Sequence, residues 1–142
     1  MKASNLHDAW GSPDNTRLTP KQLSLRLPIH VAAKVGALCD MYPQKSRTQI
    51  IADLLTSALD ELEQHLPEAL GNPISAEEEH HERKVADHLG DAYVPIFHLG
   101  GARGKFRRLA NEHFVELERE LGNEKPDLLF SDLYTTEEKQ KK

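Results

Sequence analysis

The sequence predicts a mainly α-helical chain whose sheet element is a two-stranded antiparallel ribbon shared between two copies, followed by a C-terminal helical extension. Three observations predict it. A short alternating run from Gln22 to Leu27 has no second strand near it. A proline and a helical apolar pattern follow at once. A second helix then opens on a capping box and carries a wide apolar stripe.

In Gln22-Leu23-Ser24-Leu25-Arg26-Leu27 the polar and apolar residues alternate. Period two puts the three leucines on one side and Gln22, Ser24 and Arg26 on the other, which is the pattern of a half-buried strand. One such strand cannot satisfy its own backbone donors and acceptors, and an isolated ribbon is not stable in water. A second copy of the chain is the expected partner. Pro28 ends the strand and suits the first turn of a helix, where a missing N–H costs nothing. From Ile29 to about Met41, residues Val31, Val35, Leu38 and Cys39 recur at helical spacing, and Tyr42-Pro43 stops the pattern because the residue before proline avoids the α region. Ser46-Arg47-Thr48-Gln49 has the form of a capping box. The helix that it opens carries Ile50, Ile51, Leu54, Leu55, Ala58, Leu59 and Leu62 in a stripe broad enough for two neighbours, the first helix and the same helix of another subunit.

Strand, proline-started helix, turn and capped helix over residues 21–64 resemble the ribbon-helix-helix (Arc/MetJ/CopG-like) superfamily of DNA-binding proteins. Gln22 to Pro28 is especially similar to the Arc-type ribbon, whose outward residues are amide, small polar and arginine. The resemblance implies a homodimer whose paired strands enter the major groove of double-stranded DNA, with Gln22, Ser24 and Arg26 against base edges. It also implies phosphate contacts at the amino end of the second helix, from Ser46, Arg47 and Thr48, with Lys21 and Lys45 adding charge. Two dimers side by side on a repeated operator are a further implication. One departure is the turn, because Met41-Tyr42-Pro43-Gln44-Lys45 lacks the glycine that many members have. The chemistry fits independently of the likeness: arginine pairs bidentately with guanine, glutamine with adenine, and a serine hydroxyl with several bases. A helix amino terminus offers free N–H groups and positive partial charge to a phosphate.

The net charge of -5 at first argues against a nucleic-acid partner. Its distribution answers part of the objection. Residues 1–65 hold seven Lys+Arg and seven Asp+Glu, whereas residues 66–142 hold eleven and sixteen, so the whole acidic excess lies in the second part. No apolar run approaches membrane-spanning length, no secretory leader pattern follows Met1, and the lone Cys39 cannot form an internal disulfide. A cytoplasmic protein without a membrane partner is expected.

The remaining segments read as appendages. Residues 1–20 form a polar arm expected to be mobile, with Trp10 its only large anchor, and residues 21–65 form the DNA-binding and dimerisation domain. Residues 66–74, with Gly71-Asn72-Pro73, read as a linker. Residues 75–123 are expected to make a helical C-terminal domain. Its first helix starts at Ser75-Ala76-Glu77-Glu78 and closes at Gly90, and its second runs from Ala102 to Leu121. The apolar run Tyr93 to Phe97 between them is expected to be buried. Residues 124–142 form a tail.

Glu77 to Glu82, with His80, His81 and His88, invites a metal reading, but no His-x3-His pair occurs and an acidic run most often opens a helix. No metal and no cofactor are expected. Gly100 to Arg108 is the densest basic stretch, read either as an anion site or, preferably, as a glycine turn leading to a basic face paired with Glu112 and Glu116. No Ser/His/Asp or Cys/His arrangement stands at catalytic spacing, so an enzyme is not expected. The sequence therefore predicts a sequence-specific transcriptional regulator, most simply a repressor. Its alternative is a ribbon-helix-helix antitoxin whose residues 75–142 bind a partner toxin.

Overall fold

The computed structural model describes residues 2–10, 17–19 and 22–141. The fold is mainly helical with one small antiparallel sheet. The chain divides into two compact units, Met1–His65 and Leu66–Lys142.

The first unit starts with a 3-10 turn, Ala3–Asn5, and a short helix α1, Leu6–Ala9. Helix α2 spans Ile29–Met41, with Pro28 as its N-cap and the Pro28 carbonyl accepting from the Ala32 N–H at 2.9 Å. It ends where the sequence predicts, as Tyr42 leaves the helical region at φ -125 and ψ 67. Helix α3 spans Arg47–His65. The arm expected to be mobile is folded from residue 2 to Trp10, because Trp10 (4% exposed) and Leu6 bury themselves against Ile50 (0%). Leu38, Cys39, Tyr42 and Leu54 complete that core.

The second unit departs further from expectation. Residues 66–74 are not a plain linker: Ala69–Pro73 forms strand β1, which pairs antiparallel with β2, Phe97–Gly100. A third strand β3, Tyr134–Thr135, pairs with the other edge of β2 in the register Phe97 to Thr135 and His98 to Tyr134. The unit is thus not purely helical, and both strands that complete the sheet come from segments expected to be linker and tail. Helix α4, Ala76–Leu89, has the predicted Ser75 cap and closes at Gly90, whose φ of 74 suits glycine. No residue of α4 is buried.

Helix α5, Gly101–Glu120, packs on the sheet so closely that a Cβ on Gly104 would collide with the Leu99 carbonyl. Phe106 meets Phe130 edge to face at 6.0 Å, and Leu99 and Ile74 are buried. The run from Tyr93 to Phe97 is less buried than expected. Val94 is 49% exposed, and Tyr93 lies under the Arg83 guanidinium, 4.2 Å from its ring centre. A last short helix α6 spans Glu137–Gln140.

Candidate nucleic-acid interface

The two halves of the expected DNA surface lie on different elements of the first unit. Gln22, Ser24 and Arg26 are exposed on the segment between residues 22 and 28, which forms no strand within the chain. Among the described residues, nothing pairs with the backbone of residues 22–27. The reason is compositional. Among the described residues this unit has no strand, and the sheet of the second unit is built from its own three segments. The alternating leucines are consequently uncovered: Leu23 is 81% exposed, and Leu25 and Leu27 are exposed with it. Ile29, at the start of α2, is 89% exposed.

The second half sits at the amino end of α3. Ser46 makes the capping box read from the sequence: its N–H donates to the Gln49 side-chain oxygen at 3.0 Å, and its hydroxyl oxygen accepts from the Gln49 N–H at 3.1 Å. The Ile50 N–H reaches the Ser46 carbonyl at 3.1 Å. Helix geometry then leaves the amides of Arg47 and Thr48 without a carbonyl of their own helix. Both side chains are exposed. Lys45 is half-buried, and its N–H donates to the Tyr42 carbonyl at 3.0 Å. Lys21 lies outside the described residues. Ribbon residues and helix terminus are therefore both presented to solvent, from separate elements.

An extended apolar surface accompanies them. At about 100° per residue, Leu55, Leu59 and Leu62 fall in one sector of α3 roughly 60° wide. All three are exposed. Ile50, Leu54, Ser57 and Glu61 fall in a second sector roughly 140° away. That second sector is the one against the N-terminal segment: Ile50 and Leu54 pack with Leu6 and Trp10, and Lys2, Ala3 and Ser4 share a cleft with Ser57, Asp60 and Glu61. The breadth of the stripe thus has a different cause on its two sides. One side is filled by residues 2–10, a covering that the sequence pattern alone did not assign. The other is open.

The basic stretch of the second unit is occupied internally. Arg103 donates to Glu68 at 3.0 Å, Arg107 to the Asp132 carbonyl at 2.7 Å, and Arg108 to the Leu99 carbonyl at 2.7 Å. These partners replace the Glu112 and Glu116 expected from helical spacing. The glycines beside them permit close packing: a Cβ on Gly101 would lie 2.8 Å from the Pro67 carbonyl oxygen. The stretch is a seam between α5, β1 and β2.

Sequence reasoning also missed Asn111. It is 6% exposed, donates to the Phe130 carbonyl at 3.0 Å and accepts from the Phe130 N–H at 2.7 Å, so one side chain replaces a missing strand for the chain entering β3. A carboxamide has both functions at one tip, which is the only signal the sequence carried.

On the acidic helix α4, Glu77, Glu78, His81 and Glu82 border an open cavity of about 400 Å³ that Ile74, Ile96 and Tyr134 also line. Burial, and the Glu78 carboxylate 3.4 Å from its hydroxyl, raise the Tyr134 phenol above its ordinary value. Among the described residues, no three His, Cys, Asp or Glu side chains converge as a metal site would require. No described helix is long and apolar enough to cross a membrane.

Compared with known protein families, with curated proteins and with solved structures, the chain matches none of them. Function therefore has to be argued from the residues.

Proposed function

We propose that the chain is a homodimeric, sequence-specific DNA-binding transcriptional regulator, acting as a repressor by occupying its operator. One observation carries the reading. Among the described residues nothing pairs with the backbone of the alternating segment 22–27, and its leucines are exposed together with the α3 face of Leu55, Leu59 and Leu62. A monomer leaves that surface in water at a cost of roughly 25 cal/mol for each Å² of apolar area. Pairing two such segments antiparallel satisfies the backbone groups and buries both sets of leucines in a single step. The side chains then left outward are Gln22, Ser24 and Arg26.

Each is suited to base edges in the major groove, which is wide enough to admit a two-stranded ribbon. The amides of Arg47 and Thr48, with the Arg47 charge, suit a flanking phosphate. Local charge rather than the net charge of -5 governs the encounter, so non-specific affinity should be low.

The test couples the two parts of the reading. Sedimentation equilibrium of the full chain should give twice the 16.0 kDa chain mass. Leu25→Glu, which puts a charge into the leucine face, should give the single-chain mass and lose DNA binding in the same variant. A monomeric wild type, or a Leu25→Glu variant that stays dimeric and binds DNA unchanged, contradicts the reading.

A further inference from the structure

Residues 2–10 form a strap that the regulator reading does not use. Its start lies in the cleft with Ser57, Asp60 and Glu61, and its end reaches Ile50 and Asp53, so it runs along α3 toward the amino end of that helix. Two polar contacts secure it. The Trp10 indole N–H donates to the Asp53 carboxylate at 2.6 Å, and the His7 ring nitrogen Nδ1 is hydrogen-bonded to the Tyr42 hydroxyl. Both strap rings also meet Tyr42 edge to face, His7 with centres 5.5 Å apart and Trp10 at 4.9 Å.

Tyr42 occupies a sensitive position. It is the residue at which α2 stops, and its carbonyl accepts from the Lys45 N–H, immediately before the Ser46 cap of α3. The turn contains no glycine to set its path. Its conformation is instead gripped from outside, by the strap, through the Tyr42 side chain. Asp53 carries the same grip to the second turn of α3.

We propose that the strap is a latch: docking of Trp10 on Asp53 and Tyr42 holds the α2–α3 turn, and so sets the direction of the α3 amino end. Release loosens residues 42–50 and leaves the leucine face, on the far side of α3, unchanged. Its consequence for affinity rests on the regulator reading, through the phosphate contact at Arg47 and Thr48. The latch itself does not.

Trp10 is the only tryptophan, so its emission reports docking directly in the full chain. Three quantities would be measured for the wild type, Asp53→Ala and Asp53→Asn: Trp10 emission, hydrogen exchange of peptides covering residues 42–50, and affinity for a duplex selected by the wild type. Asp53→Ala should shift the emission toward that of solvated indole, speed exchange across 42–50 at least tenfold, and weaken DNA binding at least tenfold with the dimer mass unchanged. Asp53→Asn keeps an acceptor oxygen and should restore all three.

Should Asp53→Ala fail to fold, Trp10→Phe keeps a ring in the core but removes the N–H, and it should speed exchange in the same peptides. A wild-type emission typical of solvated indole overturns the latch, as does an Asp53→Ala variant with Trp10 released and exchange of 42–50 unchanged. If the wild type selects no duplex while exchange responds as described, the latch stands and the DNA reading falls.

Discussion

The two units of this chain are completed in opposite ways. The first has periodic, strongly apolar elements and leaves one of its two apolar sides open, with Leu23, Leu25, Leu55 and Leu59 in solvent. The second has more polar helices, and its α4 buries nothing, yet it closes on itself through side chains bonded to backbone: Asn111 to Phe130, Arg107 to Asp132 and Arg108 to Leu99. The apolar side left open in the first unit is the surface that the proposed dimer would cover. The polar clamps of the second unit join its helix α5 to its own strands and to the segment that leads into β3.

The largest effect expected on this comparison is in the first unit. Trp10→Ala removes the centre of its core and should cost about 3–5 kcal/mol. Chemical denaturation would show the loss confined to residues 1–65, and an equal loss in the second unit would break the separation drawn here. Asn111→Ala is the matching change in the second unit. It strands the Phe130 N–H and carbonyl in a half-buried site, at about 1–3 kcal/mol. Limited proteolysis should then cut between residues 124 and 135 while α2 and α3 stay protected. A smaller change, Ser46→Ala, removes the α3 cap and should cost about 1 kcal/mol, read from the denaturation midpoint.

The smallest effect sharpens the contrast through pH. Tyr134 holds its proton in the folded chain beyond the ordinary value of 10.0, because of burial and then Glu78. The unfolded tyrosine ionises first, so the contribution of this group is complete below pH 10 and is lost as the pH rises through the folded value. Stability of the second unit, followed by thermal melting, should fall over that alkaline range. Tyr134→Phe should flatten that fall without altering the first unit.

What the sequence made legible follows the same division. Helices α2 and α3 of the first unit were readable because their ends carry chemical stops: Pro28, Tyr42-Pro43, and the Ser46–Gln49 box. Ser75 and Gly90 marked α4 equally well. Strand β1 was not readable, since Gly71-Asn72-Pro73 has the composition of a turn and its partner lies beyond an entire helix. Here Gly71 serves close approach: a Cβ would stand 2.6 Å from the His98 carbonyl oxygen. Strand β3 is only two residues long, below what alternation can signal.

Of the candidate interface, the exposure of Gln22, Ser24 and Arg26 was legible, because they alternate with leucine. The strap over the other side of α3 was not. Trp10 and Asp53 are 43 positions apart, and nothing local links an indole in a polar arm to a carboxylate on a helix.

The central claim is that the outward face of residues 22–26 reads bases. Selection of bound sequences from a random DNA pool at fixed near-physiological salt, comparing wild type with Arg26→Ala, tests it most directly. The account predicts a repeated motif for the wild type, with one position relaxed in the variant at a cost of about 1–3 kcal/mol. If neither protein enriches a motif, or if both enrich the same one with equal stringency, Arg26 reads no base and the claim is contradicted.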